Sequence, residues 1–309
     1  MQILGDKKIW AIGGGKGGVG KTIMTSNLGL SLAGHGKQVV LLDADLGCAN
    51  LHTMLGIKNA TRTLNDFLSK KYTLEEILLD TGTENLKIIS GANAILGLAN
   101  PNFLQKQRLI NHLKTLPADY ILLDLGAGTS YNMLDFFTIA NEGLVVICPE
   151  PTSIQNGYGF IKSAFYRRLN LLFSKNMIIT PLLQEMIRPK SKRYLKTMTD
   201  LIELVNLKDP KSAQALQTEL SAFKTRIIAN MVNSDEDKES VLAVKMVAEK
   251  FLGIQLDLVG NIYSHSVVAA SVKKMQPFMQ TAPQSQAALE VNQIVEYLME
   301  AQNAAATPV

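Results

Sequence analysis

Short, mostly uninterrupted apolar runs recur along the chain, and several stop at glycine or at an acidic side chain. Ile9–Ile12 ends in three glycines, Val39–Leu42 in Asp-Ala-Asp, and Tyr120–Leu123 in Asp124. Leu86–Ile89, Leu144–Cys148, Arg226–Ala229 and Leu256–Val259 complete the set. Runs of four or five apolar residues without polar alternation are the pattern of strands buried on both faces, as in parallel sheets. Between them lie helix-length amphipathic stretches at Thr22–Ala33, Lys106–Thr115, Tyr131–Ala140 and Val241–Phe251. This alternation predicts a doubly wound, mostly parallel α/β sheet. Such sheets bind ligands outside the carboxyl ends of their strands, where this chain places GGGKGG, DAD, DLGAG and PEP.

Gly15-Lys16-Gly17-Gly18-Val19-Gly20-Lys21-Thr22 fills every fixed position of G-x-x-x-x-G-K-[ST], after a predicted strand and before a predicted helix. Glycines let the backbone amides turn inward around phosphates, and the helix N-terminus adds partial positive charge there. Lys21 is then the cation on the β- and γ-phosphates of a nucleotide, and Thr22 a hydroxyl ligand for Mg²⁺. Asp43 and Asp45 end the second strand, and Asp124 ends another. These carboxylates are suited to holding Mg²⁺ and orienting an attacking water, with Asp124 in the Walker B position. Gly126 and Gly128 allow a backbone switch beside the γ-phosphate.

The two cysteines, Cys48 and Cys148, cannot form a disulfide framework or a four-thiolate cluster site. His35, His52, His112 and His265 show no metal-ligand spacing. The sequence carries no signal-peptide pattern at its start and no 18-residue apolar run. The expected location is therefore the cytoplasm, with the membrane or nucleoid surface as peripheral alternatives. Nine Lys/Arg fall between Lys162 and Lys196 against Glu185 alone, in a chain whose net charge is only +4. The division expected is a P-loop domain over 1–163 and 226–301, a basic helical insertion over 164–225, and a flexible tail over 302–309. Arg188, Lys190, Lys192 and Arg193, with Arg167, Arg168, Tyr166 and Tyr194, suit nucleic-acid phosphates or anionic lipid. They equally suit a solvated face or protein docking.

The loop GGGKGGVGKT resembles the deviant Walker A motif of the MinD/ParA family of dimeric ATPases, a SIMIBI-type NTPase fold. The resemblance makes Lys16 the signature lysine, which reaches the ATP of the partner in a nucleotide sandwich. It also makes Asp45 the water-positioning residue and Asp43 a support of the metal shell. LLDADLGCANLHTMLGI, LDLGAGTSYNMLDFF, CPEPTSIQNGYGFIK, NMVNSDED and SVKKMQPFMQTAPQSQAA are similar to the FlhG/FleN branch, which sets flagellar number and placement. That similarity assigns Asn230 to the adenine edge, and it implies an ATP-dependent homodimer that switches a positioning system through a protein partner or activator. A ParA-like DNA binder or scaffold with structural ATP is the rival reading; an Mrp-like cluster carrier is disfavoured because no CxxC pair is present.

The chain departs from the branch in three places. It begins almost at the first strand, whereas FlhG proteins carry an N-terminal extension that stimulates their GTPase partner FlhF. Ile262-Tyr263-Ser264-His265 replaces the family's Ile-Pro-x-Asp. The basic stretch reads as an insertion. MinD-type proteins end in a membrane-inserting amphipathic helix, but Ala287–Ala301 sets Glu290, Glu296 and Glu300, with no Lys or Arg, against an apolar face of Leu289, Val291, Ile294, Val295, Leu298 and Met299. Such a helix is expected to pack on its own domain.

Overall fold

The computed structural model describes residues 7–47, 49–91, 101–187 and 195–306. Cys48 and the run Arg188–Tyr194 lie outside them. The chain opens with β1 (Lys8–Gly13), α1 (Lys21–Gly34) and β2 (Val39–Asp43), followed by two short helices, α2 (Leu51–Met54) and α3 (Leu64–Leu68). Next come β3 (Leu79–Asp80), β4 (Leu86–Ile89), α4 (Phe103–Leu113), β5 (Tyr120–Asp124), α5 (Tyr131–Thr138) and β6 (Glu142–Ile147). Four helices follow: α6 (Pro151–Leu172), α7 (Ile179–Ile187), α8 (Met198–Lys208) and α9 (Pro210–Ala222). β7 (Thr225–Val232), α10 (Asp235–Leu252), β8 (Asp257–Tyr263), α11 (Ser266–Lys274), α12 (Phe278–Thr281) and α13 (Gln286–Ala306) close the sequence of elements.

One eight-stranded sheet has the order β3-β4-β2-β5-β1-β6-β7-β8, and every pairing is parallel except that of β3 with β4. All seven apolar runs are strands. β3 was not anticipated, because two residues on an antiparallel edge carry no readable period. Register matters for the site. Asp43 pairs with Asp124 across β2 and β5, and Ile12 pairs with Asp124 across β1 and β5. The ends of three central strands are thereby levelled at one edge of the sheet.

Each face of the sheet carries its own core. On one, Trp10, Leu28, Leu41 and Leu122 meet Val291, Ile294, Val295 and Leu298 of α13, all essentially inaccessible. The last helix packs on the domain, as its charge pattern predicted, and no helix among the described residues is long and apolar enough to cross a membrane. Within that helix the sequence reading needs two corrections. Leu289 is 44% exposed, whereas Glu290 is buried, turned toward the end of β8. The helix also continues through Ala306, across most of the stretch expected to be a flexible tail.

On the opposite face, Leu169, Leu183, Leu201, Val205 and Leu216 from α6–α9 join Phe160, Ile227 and Val244 in a single cluster. The boundary drawn at residue 164 falls inside α6. Gly157 lets that helix lie directly on β6: a Cβ there would stand 2.7 Å from Ile147 Cδ1.

Candidate functional site

The loop between β1 and α1 sits where the strand order turns back on either side of β1. Gly18 (φ 81°) and Gly20 (φ 96°) take left-handed conformations that a side chain would strain, while Gly17 faces open space. Gly15 has a different constraint. A Cβ there would stand 1.9 Å from the carbonyl oxygen of Asn156, so the loop lies flush against α6. Lys21 is 8% exposed, and its ammonium donates to the Lys16 carbonyl at 3.2 Å. Burial lowers its pKa, opposed by the charges of Asp124 and Asp45. It occupies the inside of the loop.

Lys16 points elsewhere. Its ammonium lies 2.9 Å from Glu150 Oε2 and 3.2 Å from Thr152 Oγ1, at the start of α6. Neither partner was anticipated; the acid in PEP was legible as a strand-end carboxylate, but nothing linked it to a lysine 134 residues earlier. The two lysines of the motif thus serve different directions, Lys21 inward and Lys16 outward.

Asp124 is buried, and Thr22 and Thr25 donate hydroxyl hydrogen bonds to it, that of Thr25 at 3.1 Å. Desolvation raises its pKa to about 6, against the pull of the two hydroxyls and Lys21. Thr25 was missed, although it lies three residues after Thr22 on the same helix face. Asp43 is wholly buried, and both of its oxygens accept backbone amides of the following loop, from Asp45 at 3.1 Å and Leu51 at 3.0 Å. Burial and the neighbouring Asp124 push its pKa well up. Its first task is therefore to hold that loop in shape.

The loop carries Asp45 over Gly126, where a Cβ would stand 3.0 Å from the Asp45 carboxyl carbon. The segments after β2 and β5 meet there, with Gly128 in a left-handed turn (φ 89°) beyond. Among the described residues no three His, Cys, Asp or Glu converge on a metal position. A magnesium ion in a phosphate loop needs no such cage, since it keeps waters and phosphate oxygens around one or two protein ligands. Thr22 and buried, proton-attracting Asp124 fit that role.

Asn230, at the end of β7, is 2% exposed and donates to the Val19 carbonyl at 2.8 Å. It braces the phosphate loop from behind. Cys148 lies beneath the same loop, its thiol pushed up to about 11 by burial and by Glu150. The departure at Tyr263 has a physical counterpart. Proline would lack an N–H, whereas Tyr263 N donates to Glu290 Oε2 at 3.1 Å, and His265 Nε2 lies 3.1 Å from the other oxygen. This explains why an acid is buried in α13. Of the basic stretch, Arg167 is paired with Asp135 (2.6 Å) and Arg168 with Glu219 (2.9 Å), so neither is a free phosphate ligand.

A parallel sheet with this loop at its turning point, two aspartates level with it and a second lysine outside it, defines a P-loop nucleotide-binding domain. The family model described as an AAA domain matches residues 7–172. The antiactivator FleN of Pseudomonas aeruginosa is 27% identical over 94% of this chain and 85% of its own length. The flagellum site-determining protein YlxH of Helicobacter pylori is 33% identical over 57% of this chain and 60% of its own. The fold matches the septum site-determining protein MinD, complexed with Mg-ADP, from Pyrococcus horikoshii at a TM-score of 0.65 and 21% identity, over 98% of this chain and all of that one. The chain belongs to the AAA-domain family, and it is similar to MinD proteins and to FleN.

Proposed function

We propose that this chain is a Mg²⁺-dependent ATPase that pairs face to face when ATP is bound and so switches the placement or number of a cellular structure. The observation that carries this reading is the division of labour between Lys21, buried inside the loop, and Lys16, held outside it. A lysine that its own loop does not need is free to serve a neighbouring subunit's nucleotide.

In this reading the loop amides from Gly15 to Lys21 and the Lys21 ammonium hold the phosphates, with Thr22 and Asp124 beside the ion and Asp43 behind them. Bound Mg²⁺ supplies charge neutralisation across the phosphate oxygens. Asp45 orients the attacking water from the loop that Asp43 anchors. Lys16 of the opposite subunit adds positive charge where it develops in the transition state. Asn230 takes the adenine edge in this reading, as the family resemblance implies, besides its hydrogen bond to the Val19 carbonyl. FleN and the flagellum site-determining relative support a positioning role. No observation among the described residues favours the DNA-scaffold reading.

Asp45→Ala tests the proposal. The variant is expected to bind ATP, to accumulate as a dimer on size-exclusion chromatography, and to release phosphate at least about 100-fold more slowly than wild type. Equal phosphate release would overturn the catalytic assignment, and monomer under both ATP and ADP would overturn the switch.

The Lys16–Glu150 pair makes a second expectation. Before Lys16 crosses to a partner it must leave Glu150. The pair is substantially exposed, so it is worth at most about 1 kcal/mol. Glu150→Gln is expected to strengthen ATP-dependent dimerisation by roughly two- to fivefold in sedimentation equilibrium. A weaker dimer would mean that Glu150 acts across the interface instead.

A further inference from the structure

Away from the phosphate loop, α5, α6 and α7 enclose a cleft of about 750 Å³. Tyr131 and Leu134 form one wall, Lys162, Tyr166 and Arg167 the floor, and Gln184 the far side. Its electrostatics are unbalanced. Arg167 and Lys106 both bond the single carboxylate of Asp135. Lys162 lies 5.9 Å over the Tyr166 ring with no carboxylate partner among the described residues. Arg167 and Lys106 thus share one anion, and Lys162 is the cation of the lining without an ion pair among the described residues, with Glu185 the acid of α7 nearby in sequence. Tyr131 is 67% exposed and Ile187 42%, which leaves apolar surface at the mouth.

We propose that this cleft docks an acidic polypeptide segment of a partner protein, a carboxylate of the segment on Lys162 and an apolar side chain against Ile187 and the part of Tyr131 that Arg167 leaves exposed. The lining is too polar, and its rim too exposed, for an enclosed small-molecule site. Nucleic-acid bases would need free aromatic faces, but Arg167 already covers Tyr131 at 4.7 Å and Lys162 covers Tyr166. A second copy related by a twofold axis would set like charges together. An acidic strand meets none of these objections. Thr129, next to Gly128 of the loop that follows Asp124, also lines the cleft, so the docked segment touches the loop beside the nucleotide site.

The inference goes beyond the ATPase reading, and its test uses no nucleotide. A fluorescein-labelled random Glu–Tyr copolymer is titrated with the full chain and followed by anisotropy at low salt. Saturable binding is expected. It should weaken about tenfold or more in Lys162→Glu and in Tyr131→Ala, both at exposed positions and each checked for an unchanged melting curve, and stay within about twofold in the distant Lys273→Glu. Absence of saturable binding, or equal weakening by Lys273→Glu, overturns the proposal. So does Lys162-dependent displacement of the copolymer by phosphatidylglycerol vesicles, which would mark a lipid surface, or by inorganic phosphate, which would mark a small-anion site.

Discussion

Alanine at position 16 lowers ATP turnover by on the order of 10³-fold, equivalent to about 4 kcal/mol of transition-state stabilisation, while nucleotide affinity stays within about threefold. The asymmetry follows from where the two lysines lie. Lys21 is the buried cation of the loop, so Lys21→Ala removes binding and catalysis together. Lys16 contributes its backbone to the loop but sends its ammonium to Glu150 and Thr152. Its truncation leaves the ground-state contacts intact. A mixing experiment separates action across an interface from action within one subunit. Lys16→Ala and Asp45→Ala are each expected to be nearly inactive alone. In a mixed dimer, the subunit with alanine at 16 retains its own Asp45 and receives Lys16 from its neighbour. Combining the two preparations should restore roughly a quarter of wild-type phosphate release, since half of random dimers are mixed and each holds one complete site. No restoration would confine Lys16 to its own subunit.

How far the sequence alone reached can be judged from particular residues. The strands were legible because both faces of the sheet are covered by helices, so runs such as Val39–Leu42 and Tyr120–Leu123 contain no polar interruption. The phosphate loop was legible because its requirements are local: two left-handed glycines and a lysine at fixed spacing. Long-range pairings were not. Nothing within a few residues of Lys16 points to Glu150, and nothing near Asn230 points to the Val19 carbonyl. Burial of Glu290 could not be inferred from the helical pattern of α13, because its reason lies in the amide of Tyr263 on another element. Charge counting also overstated the basic stretch. Asp135 and Glu219, which neutralise Arg167 and Arg168, lie outside the segment that was counted.

Asp124→Asn should have two opposed effects: Mg²⁺-dependent hydrolysis falls by at least about 100-fold, and the nucleotide-free protein becomes more stable. The second effect follows from the geometry of the acids. Asp124 and Asp43 face each other across paired strands, both buried, and the pKa of each is raised. An acid with a raised pKa holds its proton more tightly in the folded chain than in the unfolded one. Stability therefore falls as pH rises from about 4 through about 6, and above that the folded state carries the whole cost of an ionised Asp124. A shift from 3.8 to about 6 corresponds to about 3 kcal/mol. Asparagine removes the charge yet still accepts from Thr25, but Lys21 loses a counter-ion, so a net gain of about 1–2 kcal/mol is expected. In calorimetry with EDTA and no nucleotide, the variant should melt about 2–6 °C above wild type at pH 7.5. The gap should close toward pH 5, because wild type then regains the stability lost to ionisation. A variant that melts lower at pH 7.5, with the same difference at pH 5, would show that Asp124 is a structural hydrogen-bond acceptor and not a carboxylate kept under electrostatic strain for a cation. The acids are buried there at a cost to the empty protein, and a dication that relieves the cost ties ligand binding to the shape of the loops that Asp43 and Gly126 hold.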